Sequence, residues 1–593
     1  MTGSAGRTGG HGRPVGPPRR ASMRSALRQP CTVCTNRSTY RSPSNIHCAP
    51  TFGRATSIRL TRIARSRAVS PWRAGRDGRR RHHAAQPRQY ASLFAYVIEV
   101  PVPAKSSVAP AIVWFRDDLR VTDQPALTRA VASGRPLVCV FVDDTGDGAG
   151  RPLGGAARWW LHGSLAGLDA ALARHGGRLL LLRGDAQREI ERIVHDTGAE
   201  AVYWNRRYAQ PQRDADAALK ASLKARGVAV ESSNGSLLNE PWEVLTGGGT
   251  PYQVFTAYWR AARRDRTVAV PLSEPERIAF HPWPKAVRDC ALALDALALR
   301  PHSPDWAGGL RDAWPMPDEA GAHAQLDAFL ATSLAGYADA RDLPDRPATS
   351  RLSPFLRFGN VSPRQVWHAV QGAASAGGAA VAADADKFLS ELGWREFSYT
   401  LLYHFPALAT HNFRAQFDAM PWRDDPAALR AWQRGLTGYP LVDAGLRELW
   451  TTGWMHNRVR MVVASFLIKH LLIDWRAGEA WFWDTLVDAD PANNAASWQW
   501  VAGCGADAAP YFRIFNPVAQ GQKFDPDGAY VRRWVPELAG LDNASIHAPW
   551  EASPLELDAA GVRLGVDYPE PLVEHAAARA RALDALAALP KRR

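Results

Sequence analysis

The chain has 593 residues, of which 46% are hydrophobic and 22% charged, a composition typical of a globular protein with two or three domains. Its apolar runs are much shorter than the roughly 18 residues that cross a bilayer, which predicts no membrane segment. Its six scattered cysteines form no disulfide framework, which favours a bacterial cytoplasm. The net charge of +14 is local: residues 1–98 hold 19 Arg, no Lys and one acid, or +18, and leave −4 for the rest. The overall charge therefore does not predict that the folded body binds nucleic acid.

Residues 1–107 are rich in Arg, Ser, Gly and Pro and lack apolar periodicity, which predicts a disordered basic extension. The same composition is typical of an organellar transit peptide. We favour a third interpretation, a functionless upstream extension with the true translation start further downstream. A fold can begin cleanly at Ala111, and Arg outnumbers Lys 64 to 8, as in GC-rich bacterial coding sequences.

Residues 108–238 are predicted to form an α/β domain. Short apolar runs alternate there with amphipathic segments, and this alternation predicts a doubly wound, five-stranded parallel sheet. No GxGxxG follows the first run, so the domain lacks the ordinary dinucleotide fingerprint. The predicted strands are AIVWF (111–115), PLVCVFV (136–142), RLLLLRG (178–184), AVYWN (201–205) and VAVESS (228–233).

A connector rich in Pro and Trp follows from 239 to 317, and residues 318–593 are predicted to form an all-helical C-terminal domain. Eleven of the 23 tryptophans lie between Trp394 and Trp534. Cores seldom need this density, because each buried indole requires a partner for its N–H. The cluster therefore indicates redox or stacking chemistry.

Two helical patterns in this domain carry polar groups on one face. Spacings of three and four residues place Glu391, Trp394, Arg395 and Ser398 together, as in the wall of a polar pocket.

In the second pattern, Asp490 is predicted to cap a helix that begins at Pro491. Asn494 and Trp498 follow at intervals of four residues. A carboxylate, an amide and an indole on one face can hydrogen-bond a polar heterocycle and exchange electrons with it. Taken alone, the motif fits a capped helix with an incidental Trp equally well.

Six motifs occur in a fixed order along the chain: IVWFRDDLR (112–120), TSRLSPFLRFG (349–359), ELGWREF (391–397), TGYPLVDAGLREL (437–449), TGWMHNRVRM (452–461) and ASWQWVAGCGADAAPYFRIFNP (496–517). Through them the chain resembles the photolyase and cryptochrome flavoprotein family, most closely the bacterial class I cyclobutane pyrimidine dimer photolyases. The resemblance implies an antenna-binding α/β domain and a helical FAD- and DNA-binding domain. It also implies light-dependent repair, in which excited reduced FAD donates an electron to a flipped-out dimer.

The resemblance also implies a cofactor site. Arg460 and Asp488 match an ion pair beside the isoalloxazine ring, Asp490 its polar edge, and Asn494 the residue that faces flavin N5. The full implied set is Tyr337, Thr349, Ser350, Arg351, Leu352, Ser353, Arg395, Arg460, Asp488, Asp490 and Asn494.

Catalytic and substrate roles follow from the same resemblance. Trp498, Trp475 and Trp422 match an electron-transfer chain from the flavin to the surface, and Asn494 joins them as a catalytic residue. Trp394 and Trp500 are expected to stack on flipped bases. The implied DNA-binding set is Arg341, Glu391, Trp394, Asn457, Arg458, Met461, Trp500 and Arg513, and its arginines are candidate phosphate contacts.

The chain departs from the family pattern in three places. Pro491 stands where Leu is usual, and Ser398 where many members have Tyr. At 211–212 and 408–409 the acid and the Cys-Lys pair of a folate-binding type are missing. An antenna chromophore is expected, either methenyltetrahydrofolate or 8-hydroxy-deazaflavin, and no metal site is predicted.

Two alternatives to dimer repair are a cryptochrome-like blue-light photoreceptor and a (6-4) photolyase. Asn494 weighs against the first, because plant cryptochromes have Asp there, and Asn457 against the second, because (6-4) photolyases have a His in this region. We expect damaged DNA as the partner, no obligate protein partner, a monomer, and a cytoplasmic location on the nucleoid when DNA is bound.

Deleting residues 1–107 is expected to leave the FAD content and the repair rate unchanged, because the implied site residues all lie further along the chain. The FAD-to-protein ratio and the repair rate of the truncated and full-length proteins provide the measurement. Loss of flavin from the truncated protein would show that the predicted boundary is wrong.

Overall fold

The computed structural model describes residues 108–264, 267–508 and 512–590, so the predictions for residues 1–107 lie outside the described part. The α/β region contains one parallel sheet with the strand order β3-β2-β1-β4-β5. Its strands are β1 Ala111–Phe115, β2 Leu137–Asp144, β3 Leu179–Gly184, β4 Ala201–Asn205 and β5 Ala229–Ser233. All five predicted strands, and the doubly wound topology, are confirmed.

Apolar side chains explain why these runs form a central sheet. Every residue of β1 is buried, as expected for a strand that is covered by helices on both faces. The covering helices are α1 Pro125–Ala132, α2 Gly155–Arg174, α3 Ala186–Thr197 and α4 Gln210–Ala225. The strand order reverses between β1 and β4, and such a reversal leaves a crevice at the carboxyl ends of the strands.

The elements that follow β5 in the described chain are all helices, which confirms the predicted all-helical region. The segment predicted as a connector contains α5 Phe255–Arg264, α6 Lys285–Cys290 and α7 Gly308–Ala313. The later helices are α8 Glu319–Thr332, α9 Tyr337–Ala340, α10 Ser353–Arg357, α11 Pro363–His404, α12 Pro426–Gln433, α13 Pro440–Thr452, α14 Asn457–Ser465, α15 Trp475–Thr485, α16 Asn493–Ala502, α17 Pro517–Phe524, α18 Ala529–Trp534, α19 Pro554–Ala560 and α20 His575–Ala587. None of the helices in the described part combines the length and the apolarity that a bilayer crossing requires.

Helix α11 consists of two helices that meet at Gly378. The φ angle of this glycine is +74°, a conformation that other residues rarely adopt. The second half carries Glu391, Trp394 and Arg395 on one side, as predicted from their spacing.

Helix α16 begins at Asn493 and not at Pro491, so the predicted helix start is wrong by two residues. The carboxylate of Asp490 accepts hydrogen bonds from the backbone N–H groups of Ala492 and Asn493, at 2.9 and 2.8 Å. A turn at 491–492 therefore precedes the helix. Asn494 and Trp498 still share a helical face, with Asp490 just ahead of it.

The RDDLR segment at 116–120 joins the α/β region to the helical region. The fully buried guanidinium of Arg120 donates to the carbonyl oxygens of Gly359 and Gly235, at 2.9 and 2.7 Å. Asp117 pairs with the buried Arg357 at 2.7 Å. This motif therefore has a structural role, in which buried charges are compensated across the two regions.

Candidate functional site

The predicted ion pair between Arg460 and Asp488 is formed. Arg460, on α14, donates from Nη2 to both carboxylate oxygens of Asp488, at 2.8 and 3.1 Å, and from Nε to the carbonyl of Met455 at 2.7 Å. The Asp488 side chain is 4% exposed and that of Arg460 25% exposed. The pair is thus fixed at the edge of the interior, where a ligand can reach the guanidinium.

Trp454 brings the TSRLS segment next to this pair. The guanidinium carbons of Arg351 and Arg460 lie 5.0 and 5.9 Å from its ring centroid. Arg351 has a φ of +50°, and its Nε is buried without a hydrogen-bond partner in the described part of the chain. Burial lowers the pKa of Arg351. A buried cation with a spare donor suits an anionic ligand such as a diphosphate.

The other predicted cradle residues surround Arg351 in sequence. Leu352 is buried, Thr349 and Ser350 are half-buried, and the exposed Ser353 opens α10.

Tyr337, at the start of α9, is buried among aromatic rings. Phe329 and Phe388 contact it edge-on, with centroids 5.8 and 5.4 Å away. Burial raises the pKa of Tyr337. Its phenol therefore stays neutral and can donate a hydrogen bond.

Arg395 contacts the backbone on the α/β side of the molecule. Its Nη1 donates to the carbonyl of Ser236 at 2.7 Å, beyond the end of β5. The guanidinium also lies 4.9 Å from the ring centroid of Tyr399. Its predicted contact with the cofactor stays a prediction.

Asp490 and Asn494 are both buried and held by neighbours. Asp490 accepts a hydrogen bond from the hydroxyl of Tyr399 at 2.7 Å. Asn494 donates from Nδ2 to the carboxylate of Glu479 at 2.7 Å and to its carbonyl at 3.1 Å. Glu479 is itself held by Arg151, at 2.8 Å.

Glu479 was not predicted from the sequence. A signal was present, since Glu479 follows Trp475 by four residues and so shares its helical face. Both N–H groups of Asn494 are committed to Glu479, which leaves the amide oxygen as the group that can face a ligand.

Of the three tryptophans in the predicted electron chain, the two assigned to the interior are buried and the one assigned to the surface is partly exposed. Trp498 and Trp475 are 2% and 0% exposed, whereas Trp422 is partly exposed and packs against the same core. The indole of Trp475 donates to Asn412 at 2.9 Å. Two buried indoles and one partly exposed indole suit a path from a buried acceptor to solvent.

Two tryptophans outside the predicted electron chain pack in the core. Trp432 is fully buried, donates to the carbonyl of Val463 and lies edge-on to Trp498, with the centroids 6.3 Å apart. Trp534 is half-buried against the same core.

Two of the predicted phosphate contacts are already ion-paired. Arg341 pairs with Glu391, and Arg458 pairs with Asp342 at 2.5 Å. To contact a phosphate, each guanidinium therefore has to bind it alongside its carboxylate partner or release that partner.

Trp394 stacks on Phe255, with a centroid distance of 3.8 Å and an interplanar angle of 11°. One face of its indole is thus occupied, and a base has to use the other face or the edge. The hydroxyl of Ser398 donates to the carbonyl of Trp394 at 2.9 Å. The Ser that stands here in place of the family's Tyr therefore has a hydrogen-bond partner within its own helix.

The remaining predicted substrate residues lie on α14, on α16 and on the segment before α17. Asn457 is exposed at the first position of α14, and Met461 lies one turn later, half-buried on the same side. Trp500 is half-buried, and Arg513 is exposed on the segment before α17. Trp500 and Arg513 line one small cavity, so the structure brings these two together.

Glu448 is a buried carboxyl group that interacts electrostatically with Arg351 and Arg460, and it was not predicted from the sequence. It accepts hydrogen bonds from the hydroxyl of Tyr530 at 2.6 Å and from the backbone N–H of His456 at 3.3 Å. Burial raises the pKa of Glu448 to about 7. The folded protein therefore binds a proton here more tightly than the unfolded chain does.

Replacing Glu448 by Gln is expected to stabilise the protein at pH 8 and to reduce its pH dependence. Because the folded pKa lies above the ordinary value of 4.5, this carboxyl group costs stability as pH rises from about 4.5 to about 7, by up to about 3 kcal/mol. Unfolding midpoints at pH 5.5 and pH 8 measure the effect, with Glu276→Gln, an exposed position, as the control. An unchanged pH dependence in Glu448→Gln would contradict the assignment.

The α/β region contains a separate cavity of about 170 Å³. It opens at the carboxyl ends of the strands, near the point where the strand order reverses. Its lining includes Trp114, Asp144, Asp185, Arg207 and Asp216. By contrast, Leu408, at the other position considered for an antenna, is 3% exposed.

Two family models match the chain. The model described as DNA photolyase matches residues 111–276, and the model described as the FAD binding domain of DNA photolyase matches residues 388–588.

Individual relatives extend over most of the chain. A deoxyribodipyrimidine photo-lyase from Agrobacterium fabrum is 52% identical over 484 residues, which cover 82% of this chain and 98% of that protein. Cryptochrome-1 of Arabidopsis thaliana is 40% identical over 489 residues, which cover 80% of this chain and 70% of that protein. Among solved structures, a bacterial class III photolyase from Agrobacterium tumefaciens has a TM-score of 0.78 and 51% identity, covering 82% of this chain and 99% of its own.

Proposed function

The chain belongs to the DNA photolyase and cryptochrome family, and from this membership we propose that it repairs cyclobutane pyrimidine dimers in DNA with light. The observation that carries the proposal is the fixed amide of Asn494, at 8% exposure. Glu479 holds both of its N–H groups. Only an acceptor oxygen is then presented to the site.

The residues present fit FAD. Arg351 has a buried, unpartnered N–H for the diphosphate, and the pair of Arg460 and Asp488 offers a donor and an acceptor to the edge of a flavin ring. When bound and reduced, FAD supplies the excited electron that opens the dimer. The chain's own tasks are to hold the ring, to place the dimer beside it and to exclude water.

Asn494 favours the reduced cofactor. A reduced flavin carries a hydrogen on N5, and the amide oxygen of Asn494 can accept a hydrogen bond from it. An anionic carboxylate at this position would repel the negative charge of the reduced ring. The neutral amide therefore favours the oxidation state that repair needs.

The DNA-binding residues form a local site on a body of net charge −4 outside residues 1–98. Trp394 and Trp500 offer indole surfaces to unstacked bases. Arg341 and Arg458 are held in place by Glu391 and Asp342. DNA binding thus depends on these few positioned groups, and we expect salt to weaken it.

The class within the family is a finer proposal. The sequence motifs favour class I, whereas the 51% identity to a class III enzyme favours class III, and the class I assignment stays a prediction. A cryptochrome-like photoreceptor is the second candidate function, because the chain is also 40% identical to cryptochrome-1.

Lesion-specific repair separates these candidates. Reduced protein is illuminated with blue light in the presence of DNA that carries one cyclobutane dimer or one (6-4) photoproduct, and Asn494→Asp serves as the matched variant. We expect repair of the cyclobutane dimer only, with less repair by the variant. Repair of the (6-4) lesion alone would identify the rival lyase, and repair of neither would favour the photoreceptor.

We further propose that the 170 Å³ cavity holds the antenna chromophore. Carboxylates, among them Asp144 and Asp185, outnumber cations in its lining. The pterin end of methenyltetrahydrofolate, with its N–H donors, suits these carboxylates better than the anionic ring of a deazaflavin does.

Filling the cavity tests the antenna site. Ala215→Phe places a ring in the cavity, and Ala217→Phe places one on the exposed side of the same helix. After reconstitution with methenyltetrahydrofolate, we expect the near-ultraviolet chromophore band to be lost only in Ala215→Phe, with an unchanged FAD content. Equal chromophore binding by both variants would exclude this cavity.

A further inference from the structure

Lys469 is a buried lysine without a carboxylate partner in the described part of the chain. Its side chain is 2% exposed, and burial lowers its pKa to about 7. It lies in a π-helix, Phe466–His470, that directly continues α14. π-Helices are rare and often mark functional sites, and a buried, uncompensated amine is costly.

The amine contacts the segment that precedes α17. It donates a hydrogen bond to the carbonyl oxygen of Arg513 and lies 4.4 Å from the ring centroid of Phe512. This carbonyl is the one hydrogen-bond acceptor that the described residues give it. Lys469 thus ties the π-helix to the backbone of Arg513.

The same contact borders Trp500. Lys469, Trp500, Arg513 and Phe515 line a cavity of only about 10 Å³, which is at the lower limit for one water molecule. There is thus little free space between Lys469 and Trp500. The hydrogen bond from Lys469 helps to fix the position of the segment that carries Arg513.

We propose that Lys469 is a positioning residue for DNA recognition, which holds the Arg513 segment against Trp500 and so shapes one wall of the lesion site. This inference rests on the proposed function, in which Trp500 stacks on a base and Arg513 meets a phosphate. The protonated amine makes a charge-assisted hydrogen bond to the carbonyl, about twice as strong as a neutral one.

Two other titratable or charged groups adjoin the amine. The guanidinium of Arg513 disfavours the protonated form. His470, the next residue, contacts His575 of α20 at 2.9 Å, and burial lowers its pKa to about 3. It therefore stays neutral in the window where Lys469 titrates.

The test compares Lys469→Met with Lys285→Met, an exposed lysine on α6, in FAD-loaded full-length protein. We expect Lys469→Met to bind dimer-containing duplex about tenfold more weakly, with the FAD content and the rate of flavin photoreduction unchanged. In an Arg513→Ala background the same substitution should have little further effect, because Lys469 acts on affinity by placing the Arg513 guanidinium, which this background lacks. In the parent protein, affinity should fall as pH rises through about 7, and this dependence should flatten in the variant.

Unchanged affinity in Lys469→Met, or an effect of equal size with and without Arg513, would overturn the proposal. If Lys469→Met loses FAD, the pH profile of the parent protein decides: a fall through pH 7 supports the proposal, and constant affinity overturns it. If the parent protein does not bind the lesion at all, the proposed function falls together with this inference. If the parent protein binds the lesion and Lys469→Met binds it equally well, only this inference is overturned and the proposed function stands.

Discussion

Trp498→Phe is expected to slow light-driven reduction of the flavin by about a hundredfold or more, equivalent to about 3 kcal/mol in barrier height. A benzene ring is much harder to oxidise than an indole, and Trp498 is the buried first member of the predicted chain. Phe keeps an aromatic side chain beside Phe482, whose ring centroid lies 5.0 Å from that of Trp498. The measurement is the rate of flavin bleaching under blue light with an external reductant.

Repair by chemically reduced Trp498→Phe should remain close to that of the parent protein, because the chain serves reduction of the cofactor and not the repair step. Trp432→Phe is the matched control, since Trp432 is equally buried and touches Trp498 but lies outside the chain. Trp422→Phe should slow photoreduction less severely than Trp498→Phe. If Trp432→Phe blocked photoreduction as strongly as Trp498→Phe, the assigned path would be wrong.

Asp488→Ala is expected to release most of the bound FAD. The substitution leaves the guanidinium of Arg460 without its 2.8 Å partner, and breaking a buried pair costs about 3–5 kcal/mol. The free-energy cost of breaking this pair is expected near the lower end of that range, because Arg460 is 25% exposed. The FAD-to-protein ratio after gel filtration measures the loss.

Asp488→Asn, which keeps one acceptor oxygen, should retain more FAD than Asp488→Ala. The control is Asp558→Ala, at an exposed position on α19, which should retain the parent amount. Full FAD occupancy in Asp488→Ala would show that the ion pair does not support the cofactor.

Local patterns predicted the architecture well. Strands β1 to β4 are short and mainly apolar, and alternation with amphipathic segments located all five strands, including the more polar edge strand β5. The helix start at Asn493 was missed because the side chain of Asp490 favours a turn first, and helix ends depend on such single hydrogen bonds.

The partners of the site residues could not be predicted, because they are distant in sequence. Glu479 contacts Arg151, which is 328 residues away in sequence. Arg357 contacts Asp117, which is 240 residues away. The stacking of Phe255 on Trp394 likewise depends on how α5 packs on α11. Periodicity contains no information about such contacts.

The burial of Lys469 is a further example. In sequence, Lys469 and His470 look like the polar side of an amphipathic segment, yet both are buried. The π-helix turns them inward, toward Arg513 and His575. A one-residue widening of the helical repeat is a tertiary effect that side-chain patterns do not show.

The most direct test of the account is the reversal of a single thymine dimer. Chemically reduced, FAD-loaded protein is mixed with an oligonucleotide that carries one cyclobutane dimer, and the restored thymines are measured by chromatography after illumination and after the same time in the dark. We expect restoration in the light, none in the dark, and no net oxidation of the flavin. A lesion that stays intact under illumination while bound to the reduced protein would contradict it.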